Sequence, residues 1–126
     1  MPSSPQLSEP LDEGALARLR ELDPTGANQL LQRVINAYFG SLERFLPELA
    51  AARSPLDFSA LRQIAHTLKS SSASLGALIL SGHCARLEIM ARDQLAEGMD
   101  AEIETVLAEL ERVRAALTML LLPAKP

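Results

Sequence analysis

Residues 65–77 read AHTLKSSSASLGA and place a histidine inside an amphipathic pattern. At ~100° per residue on a helix, the apolar residues in and around this stretch fall in one sector: Leu61, Ile64, Ala65, Leu68, Leu75 and Ile79. His66 points about 160° away from the middle of that sector. The pattern therefore predicts a helix with a buried aliphatic face and an exposed imidazole on the opposite face.

The residues that share this predicted exposed face are cationic, polar or small. Arg62 and Lys69 lie one turn before and one turn after His66, and beside them lie Gln63, Ser70 and Ala73. Two nearby cations disfavour protonation of an imidazole and so favour its neutral, nucleophilic form. The small side chains at the fourth and seventh positions after the histidine leave room for a large partner to approach the ring.

Four more helical segments are predicted outside this one, from hydrophobic periodicity and from the positions of Pro and Gly. The five segments cover about residues 12–22, 24–52, 55–77, 78–96 and 100–122. Long amphipathic helices with short connections pack as antiparallel neighbours. We therefore predict an all-α fold, an antiparallel up-and-down four-helix bundle with a short additional N-terminal helix that caps one end.

Each of the other four helices carries an apolar stripe that we expect to face the core. The stripes are Leu16 and Leu19 in the first helix; Leu31, Ile35, Tyr38, Leu42, Phe45 and Leu49 in the second; Leu80, Cys84, Leu87 and Ala91 in the fourth; and Ile103, Val106, Leu110, Val113 and Leu117 in the fifth. Within its stripe, Cys84 is most simply a small buried apolar residue.

The helix boundaries are predicted from capping residues. Asp23-Pro24 and Ser54-Pro55 each resemble an N-cap followed by a proline in the first turn of a helix. Asp100 can cap the last helix, and Pro123 is expected to end it because proline cannot continue a helix.

Composition sets the class of protein. The chain has 126 residues, 48% of them hydrophobic but only 3% aromatic and none of them Trp, so an aliphatic helical core is expected. We predict a disordered tail at 1–10, a helical domain at 11–122 and a C-terminal tail at 123–126.

The net charge of −4 argues against nucleic acid as a partner. One cysteine excludes an intramolecular disulfide and fits the cytoplasm, and no apolar run approaches the ~20 residues that a membrane span needs.

The stretch 65–77 also resembles the signature of histidine-containing phosphotransfer (HPt) domains, usually a His followed by an apolar residue, Lys, Gly, Ser and, later, Gly-Ala. The resemblance implies that His66 is phosphorylated, that Lys69 stabilises the transferred phosphoryl group, and that position 70 allows a partner's loops to approach closely. Here the chain departs from the family, because Ser70 stands where Gly is usual. We interpret this difference as tuning of the transfer rate.

The resemblance also implies the partners. HPt domains exchange a phosphoryl group with the aspartate of a receiver (response-regulator) domain, and in a phosphorelay the group originates from a hybrid sensor histidine kinase. The chain is then a substrate and relay, not an enzyme, and needs no cofactor or metal of its own. We expect a cytoplasmic monomer. Two alternatives stay open: the carrier domain of a larger hybrid or chemotaxis-type kinase, and a non-phosphorylated module that regulates a kinase or receiver sterically.

The predicted partner-binding residues lie on two helices. Arg62, Gln63 and Ala73 surround the histidine, and antiparallel pairing places His66 opposite about residues 39–47 of the preceding helix, which include Phe39 and Glu43. Phe39 and Leu46 fall off the main apolar stripe. They either pack under the short first helix or dock a partner, and the sequence does not decide between the two.

Other histidine and serine residues are given structural interpretations. His83 has bulky Leu87 four residues later and lies at the edge of an apolar sector, so we expect a structural role for it. Ser71 and Ser72 are predicted to bond to carbonyls one turn back. A serine hydrolase is not expected, because no Asp or Glu is predicted to orient His66 as a base.

Overall fold

The computed structural model describes residues 9–121, and within this range the chain forms five α-helices and no strand. They are α1 (Glu13–Glu21), α2 (Leu30–Arg53), α3 (Phe58–Ser74), α4 (Leu78–Arg92) and α5 (Met99–Leu121). No helix in this range is long and apolar enough to cross a membrane. Residues 1–8 of the predicted N-terminal tail, the whole C-terminal tail and the predicted helix end at Pro123 lie outside the described residues.

The predicted four-helix bundle is confirmed. Helices α2 and α3, α3 and α4, and α4 and α5 pack as successive neighbours, and α2 also contacts α5, which closes the bundle. The antiparallel direction follows from paired contacts: Tyr38, near the start of α2, meets Ser72, near the end of α3. Across α3 and α4, Ser81 meets Lys69 and Glu88 meets His66, so positions further after the turn meet positions further before it. The stripes predicted for α4 and α5 are buried throughout, whereas Leu31 and Phe45 of α2 are only partly buried.

Two of the predicted helix starts are wrong. Residues 23–29 form turns, and α2 begins at Leu30 rather than at Pro24. Asp23 nevertheless caps α2 from a distance, since its carboxylate accepts hydrogen bonds from the backbone N–H groups of Leu30 at 3.0 Å and Asn28 at 3.3 Å. Asp57, not Ser54, caps α3 by accepting from the N–H of Ala60 at 3.0 Å. In both places a carboxylate next to the helix satisfies a free N–H group.

The boundary between α4 and α5 also differs from the prediction. Helix α4 ends at Arg92, four residues early, because Gln94 adopts a left-handed backbone with φ of 56°. Asp100 does not cap α5. It lies inside the first turn of that helix and accepts a hydrogen bond from Nε of Arg53 at 3.1 Å, which joins the end of α2 to the start of α5.

The serines after the histidine follow two patterns. Ser71 donates to the carbonyl of Leu68 at 3.3 Å, as predicted. Ser72 instead shares a buried hydrogen bond of 2.8 Å with the phenol of Tyr38, so the prediction for Ser72 is wrong. Burial raises the pKa of Tyr38 to about 12, which keeps this phenol a neutral hydrogen-bonding group in the core.

Helix α1 is attached to the turn between α3 and α4. The N–H of Asp12 donates to the carbonyl of Gly76 at 2.7 Å, and the carboxylate of Asp12 caps α1 by accepting from Ala15 N–H. Gly76 has φ of 83°, and a Cβ built on it would lie 2.9 Å from the Cβ of Ala15. The contact between α1 and this turn therefore requires that position 76 carry no side chain.

We predict that Gly76→Ala lowers the free energy of unfolding in urea by at least about 1–2 kcal/mol, the cost of a left-handed backbone for a residue with a Cβ. The clash with Ala15 adds to this cost. Gly82→Ala is the matched control, because Gly82 lies within α4 with open space around it. The control should raise stability by about 0.5–1 kcal/mol. Equal stability of Gly76→Ala and wild type would contradict the proposed packing of α1.

Candidate functional site

Helix α3 exposes His66 to solvent, as the sequence pattern predicts. Leu61, Ala65 and Leu68 of the same helix are buried, and the His66 side chain on the other side of the helix is 62% exposed. Since the helix is held along its buried face, the backbone that carries His66 is part of a packed scaffold.

A carboxylate from the next helix contacts this ring. Oε2 of Glu88, on α4, lies 2.9 Å from Nδ1 of His66, and its other oxygen accepts a hydrogen bond of 2.7 Å from Nζ of Lys69. Glu88 is largely shielded from solvent by this arrangement, with 18% of its side chain exposed. One carboxylate thus joins the histidine and the lysine that lie one turn apart on α3.

The charge state of Glu88 decides which nitrogen of His66 is free. The hydrogen bond from Lys69, and secondarily that from His66, lowers the pKa of Glu88 below its ordinary value. An ionised carboxylate can only accept hydrogen bonds, so Nδ1–H of His66 is the donor. Nε2 of the neutral ring then carries a lone pair, and no residue in the range 9–121 forms a hydrogen bond with it. A free imidazole nitrogen of this kind can act as a nucleophile.

The expectation that no Asp or Glu orients His66 is wrong, and Glu88 is the residue that sequence reasoning missed. A signal for it existed in the predicted hairpin. Because α3 and α4 run antiparallel about the turn at residues 75–77, positions at similar distances before and after the turn, such as 66 and 88, come close together. Although a carboxylate holds the ring, no serine hydroxyl among the described residues bonds to His66, so no hydrolase triad is present there.

The residues predicted to surround the histidine are accessible. Arg62, Gln63 and Ser70 are exposed, and Ala73 is half-buried. The side chain of Ser70 is only a small hydroxymethyl group, so it protrudes little from the helix surface one turn after His66. Lys69 is the exception in this group, because its ammonium turns toward α4 and Glu88 rather than straight into solvent.

An open groove of about 910 Å³ runs between α2 and α3 and ends beside His66. Its lining includes Phe45, Glu48, Arg62, Gln63, His66 and Glu88. Phe39 and Glu43 do not line the groove. Phe39 is half-buried against the core and Glu43 is exposed further along α2.

The second histidine lies between α4 and α5. Nδ1 of His83 is 3.2 Å from Oε2 of the buried Glu102, and Nε of Arg86 is 3.5 Å from the other oxygen of that carboxylate. Next to it in sequence, Cys84 is fully buried as predicted, and burial raises the pKa of its thiol to about 12. No group of three His, Cys, Asp or Glu side chains within residues 9–121 is placed to hold a metal ion.

Comparison with known proteins agrees with this geometry. No curated protein matches the chain. Among solved structures, histidine-containing phosphotransfer protein B (HptB) from Pseudomonas aeruginosa PAO1 is 32% identical, with a TM-score of 0.74 over 93% of this chain and 95% of that one. The family model of the Hpt domain matches residues 33–116, which is most of the bundle. The chain therefore belongs to the Hpt family of histidine-containing phosphotransfer domains.

Proposed function

We propose that this protein carries a phosphoryl group on Nε2 of His66 and exchanges it with the aspartate of receiver domains in a phosphorelay. The observation that carries the proposal is the exposed imidazole whose Nδ1–H is held by Glu88, which leaves Nε2 as the free nucleophile. Membership in the Hpt family supports the same chemistry.

The transfer step forms one bond to phosphorus and breaks another. The lone pair of Nε2 attacks the phosphorus of a receiver's aspartyl phosphate, the bond from phosphorus to the acyl oxygen breaks, and the aspartate leaves as a carboxylate. Nδ1 keeps its proton, so positive charge develops on the ring during transfer. Glu88 faces that charge at 2.9 Å and stabilises it. The reverse step runs through the same atoms and returns the group to a receiver.

Lys69 contributes in two ways under this proposal. It holds Glu88 in place through the 2.7 Å hydrogen bond. It also places a positive charge one helical turn after His66, close to the phosphoryl oxygens on which negative charge accumulates in the transition state. Transfer to His66 and transfer from His66 pass through the same transition state, so the ammonium acts equally in both directions.

The partner supplies the rest of the catalysis. The receiver, with its own acidic pocket, approaches over the exposed surface made by Arg62, Gln63, Ser70 and Ala73. We place Phe39 and Glu43 at the outer edge of the contact, further along α2. The protein would act as a cytoplasmic monomer that takes phosphoryl from the receiver domain of a hybrid sensor kinase. A carrier domain within a larger kinase would use the same residues.

We predict that His66→Gln abolishes labelled phosphoryl transfer from a phosphorylated receiver while the thermal unfolding curve stays unchanged, since the side chain faces solvent. His83→Gln is the matched control and should accept label at the wild-type rate. Label on the His66→Gln protein would contradict the assignment. A wild-type protein that binds the phosphorylated receiver without taking label would instead identify a steric interaction module.

Lys69→Ala should slow transfer in both directions on the order of 10–1000-fold, the range for losing one group that stabilises transition-state charge. Receiver affinity should change much less. Single-turnover rates and binding constants measured on the same receiver separate the two effects. A weakened affinity with an unchanged transfer rate would make Lys69 a docking residue.

Ser70→Gly should preserve or raise the transfer rate, because it removes the side chain that lies one turn after the ring on the expected approach path of a receiver loop. The helix should lose about 0.5 kcal/mol in stability from propensity alone. Ser70→Leu keeps helicity and should block transfer by filling the approach path. Normal transfer by Ser70→Leu would show that the receiver does not approach over this turn, and a marked loss in Ser70→Gly would show that the hydroxyl itself binds the phosphoryl group.

A further inference from the structure

The arrangement around His66 occurs a second time in the bundle. His66 and Lys69 are three residues apart on α3, and both contact Glu88 of the following helix. His83 and Arg86 are three residues apart on α4, and both contact Glu102 of the following helix. In each case Nδ1 of the histidine faces one carboxylate oxygen and the cation faces the other.

The chemical consequence is the same at both positions. A carboxylate beside a guanidinium accepts hydrogen bonds, so Nδ1–H of His83 donates to Glu102 and Nε2 keeps the lone pair. No hydrogen bond from the described residues reaches Nε2 of His83. Leu87, which lies four residues after His83 in the sequence, is buried and belongs to the core cluster.

Access to the two rings differs. The His83 side chain is 32% exposed against 62% for His66, and it lies in the seam between α4 and α5. Ile79, one turn before it, and Met90, two turns after it, are half-buried on the same side of α4. A ring in such a seam is open to a small molecule, whereas the loops of a protein domain would have to displace the flanking side chains.

We propose that His83 is a second phosphoryl-acceptor site, which takes the group on Nε2 from a small activated phosphate, of the acyl phosphate or phosphoramidate type, rather than from a docked receiver. The Nε2–phosphorus bond forms while the bond from phosphorus to the carboxylate or ammonia leaving group breaks. Nδ1 keeps its proton, and Glu102 faces the positive charge that develops on the ring. The site does not depend on phosphorylation of His66.

The test uses the His66→Gln chain, in which His83 is the remaining histidine. Incubation with phosphoramidate, and in a separate arm with acetyl phosphate, should give acid-labile phosphate on His83, located by mass spectrometry and by 31P NMR. In the folded protein only the Nε2 isomer should form, and faster than in the same chain unfolded in urea. A slower reaction in the folded state, or a mixture of ring isomers, would overturn the proposal. If only one of the two phosphates reacts, the result identifies the chemical class of the donor.

A pair of variants separates activation by Glu102 from mere exposure. Glu102→Gln should lower the folded-state rate by about tenfold or more, since the carboxylate that fixes the tautomer is lost. Glu109→Gln is the matched control, a buried carboxylate on the same helix that pairs with Arg112 and not with His83, and it should react at the unmodified rate. Equal rates for the two variants would overturn the proposal.

Two further measurements stand independently of how Glu102→Gln folds. In the 15N NMR spectrum of the unmodified protein, His83 should show a protonated Nδ1 and an unprotonated Nε2, and the opposite tautomer would overturn the proposal. A phosphorylated receiver should leave no label on His83 of the His66→Gln chain. Label there would overturn the restriction to small donors, while failure of wild-type transfer to His66 would bear only on the function proposed above.

Discussion

The carboxylate of Glu88 is shared between the imidazole of His66 and the ammonium of Lys69, and the chemistry of the exposed face depends on this sharing. The carboxylate belongs to α4 while both of its partners belong to α3, so the distance between these helices sets the tautomer of the ring. The two helices are joined by a short turn, at which Gly76 allows α1 to lie against the backbone.

Much of the fold could be predicted because burial leaves a periodic trace in sequence. Every apolar position of the stripes predicted for α4 and α5 is buried, although α5 also buries Glu102 and Glu109. Helix starts were harder to predict, because a capping side chain need not be adjacent to its helix. Asp23 reaches the first N–H group of α2, that of Leu30, across a turn of several residues, a contact that depends on the loop conformation rather than on sequence spacing.

The exposed residues of the site were likewise visible in the sequence, since His66, Arg62 and Ser70 follow one helical face. The residue that orients the ring was not, because Glu88 comes from another helix and its role depends on how two helices pair. The same holds for Glu102 and His83. Leu87, by contrast, belongs to the apolar stripe that the sequence predicts for α4, and it is buried. Contacts between helices are the part of a site that a single periodic pattern cannot encode.

Because His66 lies on one exposed face of α3, the order in which receivers can bind is restricted. Under the proposed function, a donor receiver and an acceptor receiver must both cover the same surface of α3, so the two cannot be bound at once. Exchange then follows a ping-pong order, in which the carrier leaves one protein before it meets the next. Tight binding to either receiver would slow the release of the carrier. The overall rate of phosphoryl transfer between receivers is therefore governed by the dissociation rate of each complex. Weak, short-lived contacts are therefore a requirement of this architecture.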